Sequence, residues 1–165
     1  MDLQTISIVI AAASVILAML NSILESKRAS NNDRLKIETR QMNNFIQFAR
    51  GSQTPEFLKA YHEITIYQQW NDVPDWYEKY GPQSNPDVYL RFTQICEYFN
   101  TIGLLVNIGI IDEKIPYIQG GDAIIGIWRK VKPIIYSMRP AAPGLYTTFE
   151  IFANRCEQLR DIENS

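Results

Sequence analysis

The chain has 165 residues, of which 46% are hydrophobic and 21% charged, with two cysteines, one histidine and a formal net charge of −2. This length predicts one small domain, because domains commonly take about 100–200 residues. The composition excludes a large multidomain enzyme, a disulfide-stapled secreted scaffold and a basic nucleic-acid-binding protein. All the aromatic residues lie at or beyond Phe45, so the first 44 residues contain none. The chain is therefore expected to consist of two unlike pieces.

Residues 3–24 carry no charge. A helix needs about 20 mainly apolar residues to cross the roughly 30 Å hydrocarbon layer of a bilayer, so residues 1–24 are predicted to form an uncleaved transmembrane anchor. The alternatives are a cleaved signal peptide and a buried core helix. A signal peptide begins with a basic stretch, whereas Asp2 is the only charge before the apolar run. The run is also long for a core helix in so small a domain.

Basic residues follow the predicted anchor and none precedes it. They are Lys27, Arg28, Arg34, Lys36 and Arg40. Because Lys and Arg are enriched on the cytoplasmic side of membrane proteins, the chain is expected to cross the plasma membrane once. Its N-terminus would then lie outside and its C-terminal domain in the cytoplasm. Cys96 and Cys156 lie in apolar helical patterns and are expected to be buried, reduced thiols.

Small residues recur at helical spacing in the predicted anchor. They are Ser7, Ala11, Ser14, Ala18 and Ser22, and Asn21 lies near the cytoplasmic end of the same segment. Small residues at this spacing let helix backbones approach closely in lipid. This face therefore predicts packing against a second copy or another membrane subunit. The alternative is that alanine and serine are simply common in anchors.

Residues 25–50 are predicted to form a juxtamembrane stalk helix. Its first part, residues 25–41, contains neither Pro nor Gly and is rich in charged side chains. A solvated stalk is favoured over one that lies on anionic lipid, because acidic residues dilute the basic ones. The apolar face strengthens toward Phe45 and Ile46, where the end of the stalk is expected to dock on the head.

Residues 51–165 are predicted to form the head, an all-α bundle of about four helices. Thr54-Pro55 and Asn85-Pro86 each combine a capping side chain with proline at the first helical position. No stretch shows the sustained two-residue alternation of a strand. In the first helix, residues at helical spacing mark one face: Phe57, Tyr61, Ile64 and Tyr67.

The later helices are delimited by glycine, aspartate and proline. Gly109 is expected to end the second long helix, and a short turn is expected to end at Gly120-Gly121. Asp122 is expected to cap the next helix, which Pro133 would kink or break. A last helix is expected after Pro143-Gly144.

Residues for catalysis or metal binding are scarce in this sequence. His62 is the only histidine, and it lacks the glutamate three residues before it that di-iron helical bundles use. Two separated cysteines make no zinc signature, and serine nucleophile elbows and Walker loops are missing. The sequence therefore predicts no catalytic residue, no metal site and no cofactor.

Two glutamates, Glu97 and Glu150, fall within apolar helical patterns, and Arg139 is among the arginines that can pair with them. A buried glutamate must be paired or neutralised. Two hypotheses stay open: a structural ion pair inside the bundle, or a polar ligand pocket to which His62 also contributes. The structural ion pair is favoured.

An aromatic cluster is the best candidate for partner binding. It comprises Trp70, Trp76, Tyr77 and Tyr80. Exposed Trp and Tyr are strong interface anchors, but in a head this small the same side chains can fill the core, and the core is favoured. From Gln41 onward the head has 11 basic and 14 acidic residues, so nucleic acid is not an expected partner.

Short motifs along the chain point to a known family. They are Ser52-Gln-Thr-Pro-Glu-Phe-Leu-Lys-Ala-Tyr61, Cys96-Glu-Tyr-Phe-Asn-Thr-Ile-Gly103, Gly109-Ile-Ile-Asp112, Ile127-Trp128 and Phe149-Glu-Ile-Phe152. With the anchor and stalk before them, they resemble small single-pass prokaryotic membrane proteins of domain of unknown function (DUF) family 4760. The resemblance implies the architecture of anchor, stalk and helical head. It implies no activity, and no catalytic residue is carried over from it.

The expected function is that of a membrane-anchored, non-enzymatic protein-interaction module or an accessory subunit of a membrane complex. Its expected partners are the lipid bilayer and another membrane or cytoplasmic protein, or a second copy of the chain. The alternative is a membrane-anchored sensor whose head binds a small ligand. The observations behind the first hypothesis are the small-residue face, the stalk and the missing catalytic set.

Overall fold

The computed structural model describes the backbone from Leu3 to Ser165, and the side chains of Met19 and of residues 21–165. This part of the chain is helical and contains no strand, which confirms the all-α expectation. Its elements are α1 (Leu3–Ala49), a 3-10 turn (Arg50–Gln53), α2 (Pro55–His62), a π-helical turn (Glu63–Tyr67), α3 (Val73–Tyr80), α4 (Pro86–Asn107), α5 (Lys114–Met138) and α6 (Thr147–Glu163). Two compact units are present, Met1–Arg40 and Gln41–Ser165.

Within the part of the chain that the structure describes, no helix is long and apolar enough to cross a membrane. Most of the predicted anchor, residues 1–24, lies outside the side chains that are described, and so do four of its predicted packing residues, Ser7, Ala11, Ser14 and Ala18. Asn21 is described and is exposed. The anchor and its packing face stay predictions.

The polar part of α1 is lined by charged side chains that pair along the helix. Arg34 Nε lies 2.8 Å from Glu38 Oε1, and Lys36 Nζ lies 3.6 Å from Asp33 Oδ1. Both pairs are largely exposed, and such pairs add little stability each. They suit the charged stretch of α1, residues 25–40, in which every side chain is exposed.

The helix starts predicted from Thr54 and Asn85 are confirmed. Thr54 Oγ1 accepts a hydrogen bond from the backbone N–H of Phe57 at 3.2 Å, and Asn85 Oδ1 accepts one from Val88 at 3.3 Å. Each cap satisfies one of the N–H groups that the first turn of a helix leaves unpaired. Asp72 caps α3 in the same way, accepting from the N–H of Asp75 at 2.9 Å.

The region around Gly120 agrees with the prediction in part. A turn ending at Gly120-Gly121 and a separate helix capped by Asp122 were expected. The backbone of Gly120 is non-helical, with φ −171° and ψ 38°, so α5 (Lys114–Met138) consists of two helical stretches that meet at a kink there. Pro133 lies inside the second stretch and does not end it. Burial of Val131 and Ile134 beside it favours the helix and offsets the hydrogen bond that proline removes.

The core of the second unit lies between α4, α5 and α6. The rings of Phe99 and Phe149 stack with centroids 5.2 Å apart, and Trp128 packs edge-on to Phe149 at 5.0 Å. Both cysteines are buried in this core as free thiols. Burial raises the pKa of the Cys156 thiol to about 12 and raises the pKa of the Cys96 thiol as well, so neither is a reactive thiolate at neutral pH.

Candidate functional site

The most exposed aromatic side chain of the second unit lies at the π-helical turn. Tyr67 is 72% exposed and its neighbour Ile66 is 56% exposed. Trp70 and Tyr80 are half-buried and pack edge to face with ring centroids 6.4 Å apart. Trp70 follows the turn by three residues, and the Tyr80 hydroxyl accepts a hydrogen bond from the N–H of Gln69 at 3.3 Å. Ile66, Tyr67, Trp70 and Tyr80 together are called the Tyr67 surface below. Apolar and aromatic side chains exposed together commonly mark an interaction site.

The π-helical turn explains why Tyr67 is exposed. Regular helical spacing from Phe57 places Tyr67 on the buried face with Ile64, and Ile64 is indeed fully buried. A π turn takes more residues per turn than an α turn, and Tyr67 is its last residue, followed by Gln68 in extended conformation (φ −72°, ψ 122°). The spacing that a continuous α-helix would keep from Phe57 therefore does not hold at Tyr67. The expected position of Tyr67 on the buried face is therefore wrong, and its ring faces solvent.

An ion pair holds the start of the π-helical turn against α4. Arg91 Nε lies 2.5 Å from Glu63 Oε2, and Arg91 Nη2 lies 3.0 Å from Glu63 Oε1. This is the two-pronged geometry in which a guanidinium matches a carboxylate, and the hydrogen bond that Arg91 donates to Glu63 raises the pKa of Arg91. The turn is thus fixed to a long helix at the end opposite Tyr67.

Lys130 of α5 holds the other end of the turn. Its Nζ donates hydrogen bonds to the backbone carbonyls of Thr65 at 3.1 Å and Gln68 at 2.9 Å. The same ammonium group lies 5.0 Å from the centre of the Trp70 ring. A cation here stabilises the unpaired carbonyls of a helical end and attracts the aromatic ring. Burial lowers the pKa of Lys130.

Gln68 lies directly after the turn and is 2% exposed. Within the described residues neither Nε2 nor Oε1 of its side chain has a hydrogen-bond partner. Leaving a buried amide unpaired costs about 1–3 kcal/mol. Most buried side-chain amides have a hydrogen-bond partner, so Gln68 is an unusual residue beside the turn.

The structure separates the predicted aromatic cluster into core and surface. Trp76 is fully buried and packs on Phe92 with ring centroids 4.8 Å apart, so it is a core residue and not a partner-binding one. Tyr77 is half-buried and lies 3.4 Å from Ser137 through its hydroxyl. Only Trp70 and Tyr80 of the four adjoin the turn. Neither Ile66 nor Tyr67 was among the predicted site residues, because the sequence carries no clear signal of a π turn.

The four residues predicted for a buried ion pair or polar pocket, Glu97, His62, Arg139 and Glu150, do not form one pocket. Glu97 is exposed, which corrects the expectation that it is buried: it lies on α4 two positions after Ile95, and hence about 200° away from the buried stripe. His62 is exposed as well. Arg139 and Glu150 do meet, with Nη1 to Oε2 at 2.6 Å.

The Arg139–Glu150 pair fastens the corner between α5 and α6. Tyr136 donates a short hydrogen bond to the other oxygen of Glu150, and Arg139 Nε donates to the carbonyl of Leu145 at 3.1 Å. Burial alone would raise the pKa of Glu150, but the hydrogen bonds from Tyr136 and Arg139 outweigh it, and its pKa is lowered. These contacts are structural.

Metal ligands do not cluster in the described part of the chain: no group of three or more His, Cys, Asp or Glu side chains is placed to hold an ion there.

The model of one protein family, described as "Domain of unknown function (DUF4760)", matches residues 8–156. The chain belongs to this family. The DUF4760 match runs from within the predicted anchor to the last helix, α6, and includes all four residues of the Tyr67 surface. No curated protein and no solved structure matches the chain. The single-pass membrane character expected for the DUF4760 chain stays a prediction.

Proposed function

We propose that this DUF4760 chain is a membrane-anchored, non-enzymatic interaction module whose head binds another protein through the Tyr67 surface. In this proposal residues 1–24 cross the plasma membrane, the N-terminus lies outside and the head lies in the cytoplasm. The uncharged residues 3–24 and the basic residues that follow them support the anchor.

The observation that carries the proposal is an exposed aromatic side chain on a turn held from both ends. Arg91 binds one end of the turn and Lys130 the other. A partner that covers Tyr67 gains a large apolar contact and loses little entropy, because the surrounding backbone is already fixed. An aromatic anchor of this kind commonly contributes a large share of binding free energy at protein interfaces.

The proposal is tested by comparing two pairs of substitutions in the full chain, purified in detergent from its native membranes. The first pair, Ile66→Ala and Tyr67→Ala, removes the centre of the Tyr67 surface. The second pair, Ile118→Ala and Ile162→Ala, removes side chains that are equally exposed but lie elsewhere. A genuine partner copurifies in a fixed ratio with the wild type and with the Ile118→Ala and Ile162→Ala variants. It is lost with the Ile66→Ala and Tyr67→Ala variants.

Binding is then measured between the purified full chain and the purified partner. We expect Tyr67→Ala to weaken the affinity by at least about tenfold, as for an aromatic hot spot. Copurification that the two pairs affect equally, or an affinity that Tyr67→Ala leaves unchanged, would contradict the role of the Tyr67 surface.

A further inference from the structure

The second unit also contains a cleft of about 270 Å³. It is bordered by the end of α1, the 3-10 turn, α2, α4 and the first part of α5. Five aromatic rings form much of its wall: Phe45, Phe57, Tyr61, Tyr98 and Phe99. None of the four residues of the Tyr67 surface borders it, so an inference about the cleft stands apart from the proposed function.

Two of the five α5 residues that border the cleft are small and lie at or near the kink, and the others are Pro116, Gln119 and Ile124. Gly120, whose backbone departs from helical geometry, and Ala123 both border it. On the opposite wall Tyr98 is held between Phe48, stacked at 4.9 Å, and Phe57, which packs edge-on at 4.5 Å. A wall of interlocked rings cannot move in to fill the space without losing these contacts.

The chemistry of the wall selects an uncharged ligand. Among the described residues that border the cleft, none carries a charged side chain. Burial raises the pKa values of the Tyr61 and Tyr98 hydroxyls, so both stay neutral at physiological pH. An ionised ligand would lose its hydration here without gaining a counter-charge.

Polar groups are few and lie toward the edge of the cleft. Ser52 donates to the carbonyl of Ala49 at 2.7 Å and its hydroxyl also interacts with that of Tyr98, so its oxygen keeps one lone pair for a further hydrogen bond. The amide of Gln119 is exposed at the edge and can donate or accept. A mainly apolar wall with a small number of polar groups is the usual composition of a small-molecule site.

From this geometry we infer that the cleft binds a small, uncharged, mainly apolar molecule that carries one hydrogen-bonding group, oriented toward Ser52 and Gln119. The volume restricts the ligand to the low end of the range for small-molecule sites, which begins at about 300 Å³. The site differs from the polar pocket expected around Glu97 and His62, since neither residue borders it.

Benzophenone tests the inference, because it is uncharged, aromatic and carries one carbonyl acceptor, and because light attaches it covalently where it is bound. The full chain in detergent is illuminated with benzophenone, and the labelled positions are mapped by mass spectrometry. Labelling within residues 45–61, 98–102 and 116–124 is compared with labelling elsewhere in the same molecule, so that uptake of the probe by detergent does not affect the ratio.

Two substitutions and one control make the test specific. Ala123→Phe introduces a ring at the exposed edge of the cleft, and Leu58→Asp introduces a charge at an exposed lining position. Ala142→Phe adds the same ring to an exposed loop away from the cleft. We expect each of the first two to reduce the labelling ratio by about tenfold, which corresponds to about 1.4 kcal/mol, and Ala142→Phe to leave it unchanged.

The charged analogue 4-benzoylbenzoate supplies a second comparison. It has the same ring system with an added carboxylate, and we expect it to label the cleft far less than benzophenone does. Labelling spread over the surface in proportion to exposure would overturn the inference. So would labelling of the cleft that neither substitution reduces, or equal labelling by the neutral and charged probes.

Discussion

At the scale of single residues, Gly103 shows how closely α4 and α6 approach each other. A Cβ atom at this position would lie 2.2 Å from the backbone carbonyl oxygen of Thr148 and 2.6 Å from its carbon. Backbone atoms cannot rotate away as the end of a side chain can. Asn100 fixes Thr148 further, since the Thr148 hydroxyl lies 2.6 Å from Asn100 Oδ1.

We therefore predict that Gly103→Ala destabilises the fold by about 1–3 kcal/mol, the usual cost of overpacking. Gly126→Ala is the matched control, because Gly126 is also helical, is exposed and has no atom within 4 Å of its Cβ position. There alanine should raise stability by up to about 1 kcal/mol. Urea unfolding of the full chain measures the free energy of unfolding of both variants. If Gly103→Ala stabilises the protein, α4 and α6 do not approach as closely as described.

Glu150 makes the stability of the α5–α6 corner depend on pH. Its pKa is lowered in the folded state, so the folded protein binds this proton less tightly than the unfolded chain does. The stabilisation is present above the ordinary glutamate pKa and is lost as the pH falls through the lower, folded value.

We predict that Glu150→Gln lowers stability at neutral pH and reduces the loss of stability below the ordinary pKa of glutamate. The control is Glu157→Gln, which removes a more exposed partner of Arg129, at 2.7 Å, and should change little. Unfolding midpoints measured from neutral to acidic pH give the comparison. If Glu150→Gln loses stability at acidic pH as steeply as the wild type does, the α5–α6 corner does not contribute to that loss.

At the scale of the elements, the π-helical turn depends on Lys130. Removing the ammonium group in Lys130→Met leaves the carbonyls of Thr65 and Gln68 without their donor and Trp70 without its cation. Hydrogen bonds from charged donors contribute about 1.5–3 kcal/mol each, and partial exposure reduces that. We predict a local destabilisation of about 1–2 kcal/mol.

Hydrogen exchange followed by mass spectrometry measures this effect locally. Exchange of residues 63–70 should become several-fold faster in Lys130→Met, while α4 and α6 keep their protection. Lys132→Met is the control, since Lys132 lies over the Tyr136 ring at 5.2 Å and does not bind the turn. Equal protection of residues 63–70 in both variants would exclude the role given to Lys130.

The elements differ in how far the sequence predicts them, according to how local their causes are. The starts of α2 and α4 follow from Thr54 and Asn85, whose side chains bond three residues away. The π-helical turn that ends at Tyr67 is bound by Arg91 and Lys130, which lie far along the chain. The helical spacing counted from Phe57 depends only on neighbouring residues and does not reveal those distant contacts. The exposure of Tyr67 could therefore not be predicted from the sequence.

At the scale of the whole molecule, the predicted boundaries after residues 24 and 50 stay predictions, while the composition changes close to Gln41, where the second compact unit begins. Aromatic residues are absent before Phe45, and Phe45 is buried in the second unit. Glu97 shows where composition misleads. It lies next to Cys96 in an apolar stretch, yet one position along a helix turns a side chain by about 100°, from the core toward solvent.

The anchor is the whole-molecule property that an experiment can decide most directly. The full chain should stay with the membrane after an alkaline carbonate wash, because residues 3–24 are uncharged and mainly apolar, and a spanning helix needs about 20 such residues. Ile16→Arg places a charge near the middle of that stretch, where insertion costs about 2.5–3.5 kcal/mol, so a substantial part of this variant should be released. Ser30→Arg adds the same charge beyond the stretch, on the side that is already basic, and should be retained. If the wild type is washed off, or if both variants behave alike, residues 1–24 do not anchor the chain, and the Tyr67 surface would then serve a partner away from the bilayer.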